Sequence, residues 1–216
     1  MSEINGIAKL TDTPYVNLFH IKGVNKKSGE VNYYVASRAK EQEDLKLITR
    51  QNKADGVVIY SLYGEQRDKV VLVRQFRYTI DDYIYEFPAG LIDGDEDFHD
   101  AAVRELKEET GLLFTPLEVD ESYERPYYTT IGMSDEACAT VYGYADGEVS
   151  ADYLEDDEEI QVVIADKTEV QRILKEENVA IMCSYMLMHF LADDEAFGFI
   201  KIKRKENGYG KERRSR

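Results

Sequence analysis

The stretch Gly90-Leu91-Ile92-Asp93-Gly94-Asp95-Glu96, followed after seven residues by Arg104-Glu105-Leu106-Lys107-Glu108-Glu109-Thr110-Gly111-Leu112, carries more information than any other part of this 216-residue chain. From about Asp97 to Thr110 it has the logic of a helix. Asp95, Glu96, Asp97 and Asp100 crowd its first turn, where negative charge complements the helix dipole. Ala101, Ala102, Val103 and Leu106 supply small or apolar contacts, and Gly111 is the expected C-terminal stop. Glu105, Glu108 and Glu109 stand at i, i+3 and i+4, so they share one face. Like charges at those spacings repel, and the face is either a solvated acidic surface or one that gathers a cation. Hard Mg2+ prefers oxygen ligands, keeps some waters and is usually shared with substrate phosphates.

The fixed positions fit G-x5-E-x7-R-E-U-x-E-E-x-G-U without exception, U being aliphatic. With each fixed letter at a background of roughly one in ten, a chance match to all of them is remote. This is the Nudix box, and the chain resembles the Nudix hydrolases. The resemblance implies an α+β fold, an α/β/α sandwich, and a Mg2+-dependent enzyme, with Mn2+ as an alternative ion. Such enzymes split nucleoside diphosphates linked to another moiety. Residue by residue, Glu105 and Glu109 match the principal metal ligands, and Glu108 a further ligand or an orienter of metal-bound water. The backbone carbonyl of Ala89 matches a main-chain ligand. Arg104 matches the arginine that orients a box glutamate, a role compatible with an ordinary i,i+4 pair to Glu108. Glu96 matches a support for the loop–helix geometry, and Gly90 permits a tight backbone at the helix entrance.

Composition narrows the partners. A net charge of −16 argues against nonspecific nucleic-acid binding through the whole surface. An anionic substrate would then require metal ions and local arginines. No apolar run approaches membrane-spanning length and the N-terminus lacks a signal pattern, so the expected partner is a small molecule, without a membrane, in the cytoplasm. Cys138 and Cys183 lack metal-ligand spacing and read as two buried free thiols.

Along the chain, residues 1–50 form an expected small antiparallel β subdomain. Its strands are Tyr15 to Ile21 and Val31 to Arg38, with a turn over Lys26-Lys27-Ser28-Gly29-Glu30. Arg38 to Asp55 reads as a charged connection. Residues 51–200 form the main domain. Its expected strands start at Val57, Lys69, Tyr83, Glu118, Ala137 and Gln161, the one from Lys69 to Phe76 being apolar enough to be central and the one at Glu118 running to Tyr123. Helices are expected over Thr168 to Lys175 and Val179 to Leu191, with Ile181, Tyr185, Leu187 and Met188 as core contacts. Residues 201–216 form a basic tail, read as a frayed end.

Two flanking segments, Val73-Arg74-Gln75-Phe76-Arg77-Tyr78 and Tyr85-Glu86-Phe87-Pro88-Ala89-Gly90-Leu91-Ile92-Asp93, are similar to those preceding the box in ADP-ribose pyrophosphatases and related nucleotide-sugar hydrolases. That subgroup exchanges its N-terminal sheet across a two-fold, so the resemblance implies a homodimer. It also implies that Tyr34 stacks on the adenine, with Tyr33 on the other strand face, core or interface packing being the alternative for such a tyrosine. Arg38 and Arg77 would hold phosphates or the distal ribose, or else form surface ion pairs. Glu86 would reach the metal-side groups of the substrate. In Tyr127-Tyr128-Thr129-Thr130-Ile131-Gly132-Met133-Ser134-Asp135-Glu136, the last residue matches a catalytic glutamate: a general base, or a group that orders the attacking water. The subgroup usually has proline about where Ile131 stands here. The implied reaction is metal-assisted attack of water on a pyrophosphate phosphorus, giving AMP and ribose 5-phosphate from ADP-ribose. The alternatives are another nucleotide sugar such as GDP-mannose, a dinucleotide, or a Nudix module that senses nucleotide without cleaving it.

Overall fold

The computed structural model describes residues 2–154, 159–193 and 195–202. Strands β1 (Glu3–Lys9), β2 (Asn17–Val24) and β3 (Glu30–Ser37) form an antiparallel three-stranded sheet in that order. The Lys26 to Glu30 turn closes β2 on β3, with Ser28 in the left-handed region at φ 61°. Phe19, Val35 and Leu45 give this sheet a small core of its own. β1 is a strand the sequence reading missed, because Glu3-Ile4-Asn5-Gly6 does not alternate and bulges between Ile4 and Gly6. The charged connection contains a 3-10 turn (Gln42–Asp44) and the short helix α1 (Lys46–Thr49).

The larger sheet is built from β4 (Gly56–Tyr63), β5 (Lys69–Arg77), β6 (Asp82–Glu86), β7 (Ala89–Leu91), β8 (Leu113–Pro116), β9 (Tyr127–Tyr128), β10 (Ala137–Asp146) and β11 (Ile160–Ala165). Its path runs β11-β5-β4-β10-β8, with β6 on β5, β7 on β4 and β9 on β10. β4 and β10 are parallel; β4 pairs antiparallel with β5 and β7. β5 lies inside the sheet, as its apolar run requires, and β4 is the middle strand.

Helix α2 (Phe98–Thr110) covers one face and α4 (Lys167–Glu176) with α5 (Ile181–Ala192) the other, while α3 (Glu121–Glu124) is a single turn. The alternation of β4 shows the layering. Val57 and Ile59 pack with Ala101, Ala102 and Leu106 of α2, whereas Val58, Tyr60 and Leu62 pack with Ile173, Leu187 and Phe190. Both faces are covered, which is why β4 is buried nearly throughout. The expected α/β/α sandwich with a small N-terminal sheet is the observed architecture.

Three local expectations are corrected. Glu118 to Tyr123 is no strand: pairing with β10 falls earlier, at Leu113–Pro116, and Asp120 caps α3 by accepting from the Ser122 N–H. Val103 faces outward. In α5, Leu187 is buried as expected but Ile181, Tyr185 and Met188 are exposed, and the buried partners are Cys183 and Phe190. That helix is apolar all round, so its sequence does not mark the inner face. Both cysteines are free, Cys183 buried and Cys138 partly so. Among the described residues no helix is long and apolar enough to cross a membrane. The basic tail from residue 203 onward lies outside the described residues.

Candidate active site

The quoted stretch folds as a strand, a loop and a capped helix. Asp97 is the N-cap of α2 and accepts from the His99 N–H at 2.8 Å. The His99 ring lies 2.9 Å from Glu124 and ties the start of α2 to α3. Gly111 ends the helix at φ 75°, where an L side chain would be strained and its Cβ would press on Ser150. Leu106 and the two alanines sit under the helix, turning Glu105 and Glu108 toward the loop. Glu109 is only 4% exposed, and its carboxylate accepts from the Ala89 N–H at 3.2 Å.

Arg104 organises the remaining acids. Its guanidinium donates to Glu96 at 2.9 and 3.2 Å, to Glu105 at 2.8 Å, to Glu108 at 2.9 Å and to the Leu91 carbonyl at 3.1 Å. Loop and helix are thereby held in one network. Its hydrogen bond to Glu96 and the adjoining carboxylates hold the arginine firmly charged, and the same bond holds the Glu96 carboxyl below the usual carboxylate range. Gly90 makes room for this arrangement: a Cβ there would stand about 2 Å from the Glu105 carboxylate.

The donor set suits a hard cation, since it offers three helix carboxylates and the main chain of Ala89, all oxygen. Gly90 keeps the Glu105 head clear of a side chain that would displace it. As the side chains stand, no three His, Cys, Asp or Glu among the described residues close on a common point; the cation among them is Arg104.

A second cluster lies across β4. Gly56 at the start of that strand pairs with Leu91 on one side and with Cys138 on the other. The box loop and the residues before β10 therefore share one end of the sheet, about two strand spacings, or roughly 10 Å, apart. Glu136 sits there. Arg38 donates to it at 2.7 and 2.8 Å and the Thr129 hydroxyl at 3.1 Å. The loop leading to Glu136 is docked on the N-terminal sheet: Ala36 N–H donates to Met133 at 2.9 Å, and the Tyr33 hydroxyl donates to the Gly132 carbonyl at 2.6 Å. Burial, together with the nearby Glu136 and Asp55 charges, pushes the Cys138 thiol up to about 11, so it stays protonated and unreactive.

The other named residues fall into two pairs. Arg77 and Glu86 form an ion pair at 2.7 Å on neighbouring strands, just before the box. Tyr34 is 54% exposed and lies nearly parallel to the His20 ring, 4.7 Å away. Because strand neighbours alternate, Tyr34 faces away from the loop that Tyr33 touches. Arg38 and Glu136 were both read from the sequence, but not as partners. His20, His99, Thr129, Lys46 and Asp55 were missed. His20 alone had a local signal, as it stands opposite Tyr34 once the hairpin register is set.

Comparison with known proteins adds three findings. The NUDIX domain profile matches residues 52–182. Over 72 residues the chain is 44% identical to ADP-sugar pyrophosphatase of Mus musculus, covering 32% of this chain and 33% of that one. Over 60 residues it is 54% identical to ADP-ribose pyrophosphatase of Saccharomyces cerevisiae, covering 26% of each. With a Caenorhabditis elegans relative included, the matched stretches span from about a quarter to about half of the relatives' lengths. The solved structure of an ADP compounds hydrolase superposes with a TM-score of 0.61 at 15% identity, covering 88% of this chain and 92% of that one, which establishes likeness of fold.

Proposed function

This chain belongs to the NUDIX family, and from that premise we propose that it hydrolyses the pyrophosphate of a nucleoside diphosphate joined to a sugar, with ADP-ribose as the first substrate to test. The observation that carries this reading is the box network. Buried Glu109 is fastened to Ala89, and Glu105 and Glu108 share Arg104 beside a glycine whose missing side chain leaves space for the carboxylate. The relatives' names supply the substrate class.

Glu105, Glu108, Glu109 and the Ala89 carbonyl would hold a divalent ion, Mg2+ or Mn2+. When bound, such an ion neutralises phosphate charge and makes bound water more acidic. The chain's own residues do the rest. Arg104 keeps two of the glutamates from splaying. Glu136 takes the proton of the attacking water or orders that water, and Arg38, donating to its carboxylate, keeps it aimed. Arg77 offers a forked donor to a phosphate once it yields its bond to Glu86, leaving Glu86 for the metal-side groups of the substrate.

Tyr34 faces away from its own Glu136 loop, which supports a homodimer in which each N-terminal sheet gives its adenine platform to the other copy. The exposed Leu10, Tyr15, Val16 and Leu18 of the same subdomain support that arrangement. A monomer in sedimentation would overturn it. This reading makes it a small-molecule enzyme of the cytoplasm. A second reading, a different nucleotide sugar, is favoured by Ile131, 62% exposed where the subgroup carries proline.

The test is phosphate release, coupled to a phosphatase, from ADP-ribose, other nucleoside diphosphate sugars, dinucleotides and nucleoside triphosphates with Mg2+. ADP-ribose well above the rest is the expected result. Preference for another sugar nucleotide replaces the substrate, and binding without turnover moves the protein to a sensing role.

A further inference from the structure

Asp55, the residue immediately before β4, touches both halves of the site. Its backbone carbonyl accepts from the Ile92 N–H of the box loop at 3.2 Å. Its own N–H donates to the Ala137 carbonyl at 2.7 Å, and its carboxylate accepts from the Ala137 N–H at 2.8 Å. Ala137 directly follows Glu136, so a ring of two hydrogen bonds clamps the peptide on which Glu136 hangs. The same carboxylate oxygen takes the Lys46 ammonium at 2.6 Å, with both side chains mostly withdrawn from solvent. The Lys46 N–H in turn approaches the Asp135 carboxylate at 3.4 Å, and Ala36 holds Asp135 and Met133 from the other side.

We propose that Asp55, clamped by Lys46, is a positioning residue that fixes Glu136 relative to the box glutamates. The inference rests on Glu136 acting in the chemical step, and it adds the group that sets its place. Glu136 stands just before the start of β10, where the Thr129 N–H holds its carbonyl at 3.0 Å from one side and a strand end is prone to fray. The carboxylate bond to Ala137 removes that freedom at the one peptide where it matters. Since Asp55 also binds Ile92, a shift of either loop is passed through a single residue to the other. A displacement of about 1 Å can cost on the order of 10²-fold in rate, which makes such a clamp worth its polar burial.

The test compares single and double variants of the full chain with the preferred substrate of the panel and Mg2+. Asp55→Ala should lower kcat by about 10²-fold with KM nearly unchanged, and Asp55→Asn, which keeps an oxygen for the Ala137 N–H, should recover most of the rate. Asp55→Ala combined with Glu136→Gln should be scarcely slower than Glu136→Gln alone, because both act through one group. Additive losses would overturn the clamp while leaving Glu136 in its role. A lowered melting temperature with unchanged kcat would reduce Asp55 to a structural strut. Where the alanine variant does not fold, Asp55→Glu serves: it keeps the charge and the Lys46 pair but moves the carboxylate by one methylene. Full rate in Asp55→Glu would overturn the proposal. Normal kcat in Glu136→Gln alone would instead remove the reading of Glu136, a separate outcome.

Discussion

Two acidic groups meet at one end of the large sheet, and they are held in opposite ways. The box glutamates lean on residues close in sequence: Arg104 reaches Glu96, Glu105 and Glu108, and the longest bond of the set joins Glu109 to Ala89, 20 positions away. Glu136 leans on Arg38, 98 positions away, and its neighbour Ala137 on Asp55, 82 positions away. One region carries its geometry in a single capped helix and loop. The other receives its geometry from the N-terminal sheet and the connection that follows it. Local assembly resists damage elsewhere in the fold, whereas long-range assembly makes the rate sensitive to elements that never meet substrate.

That contrast can be broken at its strongest point first. Glu105→Gln and Glu109→Gln should each cost at least about 10²-fold in Mg2+-dependent turnover with an unchanged circular dichroism spectrum, since the amide keeps the shape and, at Glu109, an oxygen for Ala89. Near-normal rates in both would remove the metal-ligand reading. Gly90→Ala follows. Its new methyl meets first the flexible end of the Glu105 side chain, so the melting temperature should hold while turnover falls by about the same factor. A large stability loss with intact rate per folded molecule would show that Gly90 serves the loop and not the carboxylate. Glu136→Gln should lower kcat by about 10²-fold and leave KM in place, on the scale of general-base loss. The smallest effect belongs to Tyr34→Ala, a rise of about tenfold in KM for adenine substrates, the scale of one lost base stack. An unchanged KM would return Tyr34 to packing against His20.

The same contrast explains what the sequence made legible. Asp97, the i, i+3, i+4 glutamates and Gly111 belong to one helix and its caps, so spacing and end signals in the sequence mark cap, face and stop. The parallel pairing of β4 with β10 left no mark at either strand, and with it the meeting of Asp55 and Ala137 stayed hidden. The Arg38–Glu136 pair stays hidden for the same reason, although each residue stands in a recognisable segment. Periodicity failed where a segment was uniform or irregular: α5 is apolar on every side, and β1 carries a bulge. The misplaced strand at Glu118 arose because Val119 is buried in an extended segment, but that segment makes only an isolated bridge to Ile202 before the turn into α3.

Arg104 has a consequence for how the protein comes to be made. An acidic face of this density would ordinarily repel itself while the chain is still collapsing. Here the counter-charge is covalently part of the same helix, one residue from Glu105 and four from Glu108. The nascent helix brings its own neutralisation, at fixed stoichiometry and independent of ion supply. Refolding from denaturant should therefore give the same yield and rate with a chelator as with Mg2+, and only turnover should wait for the ion.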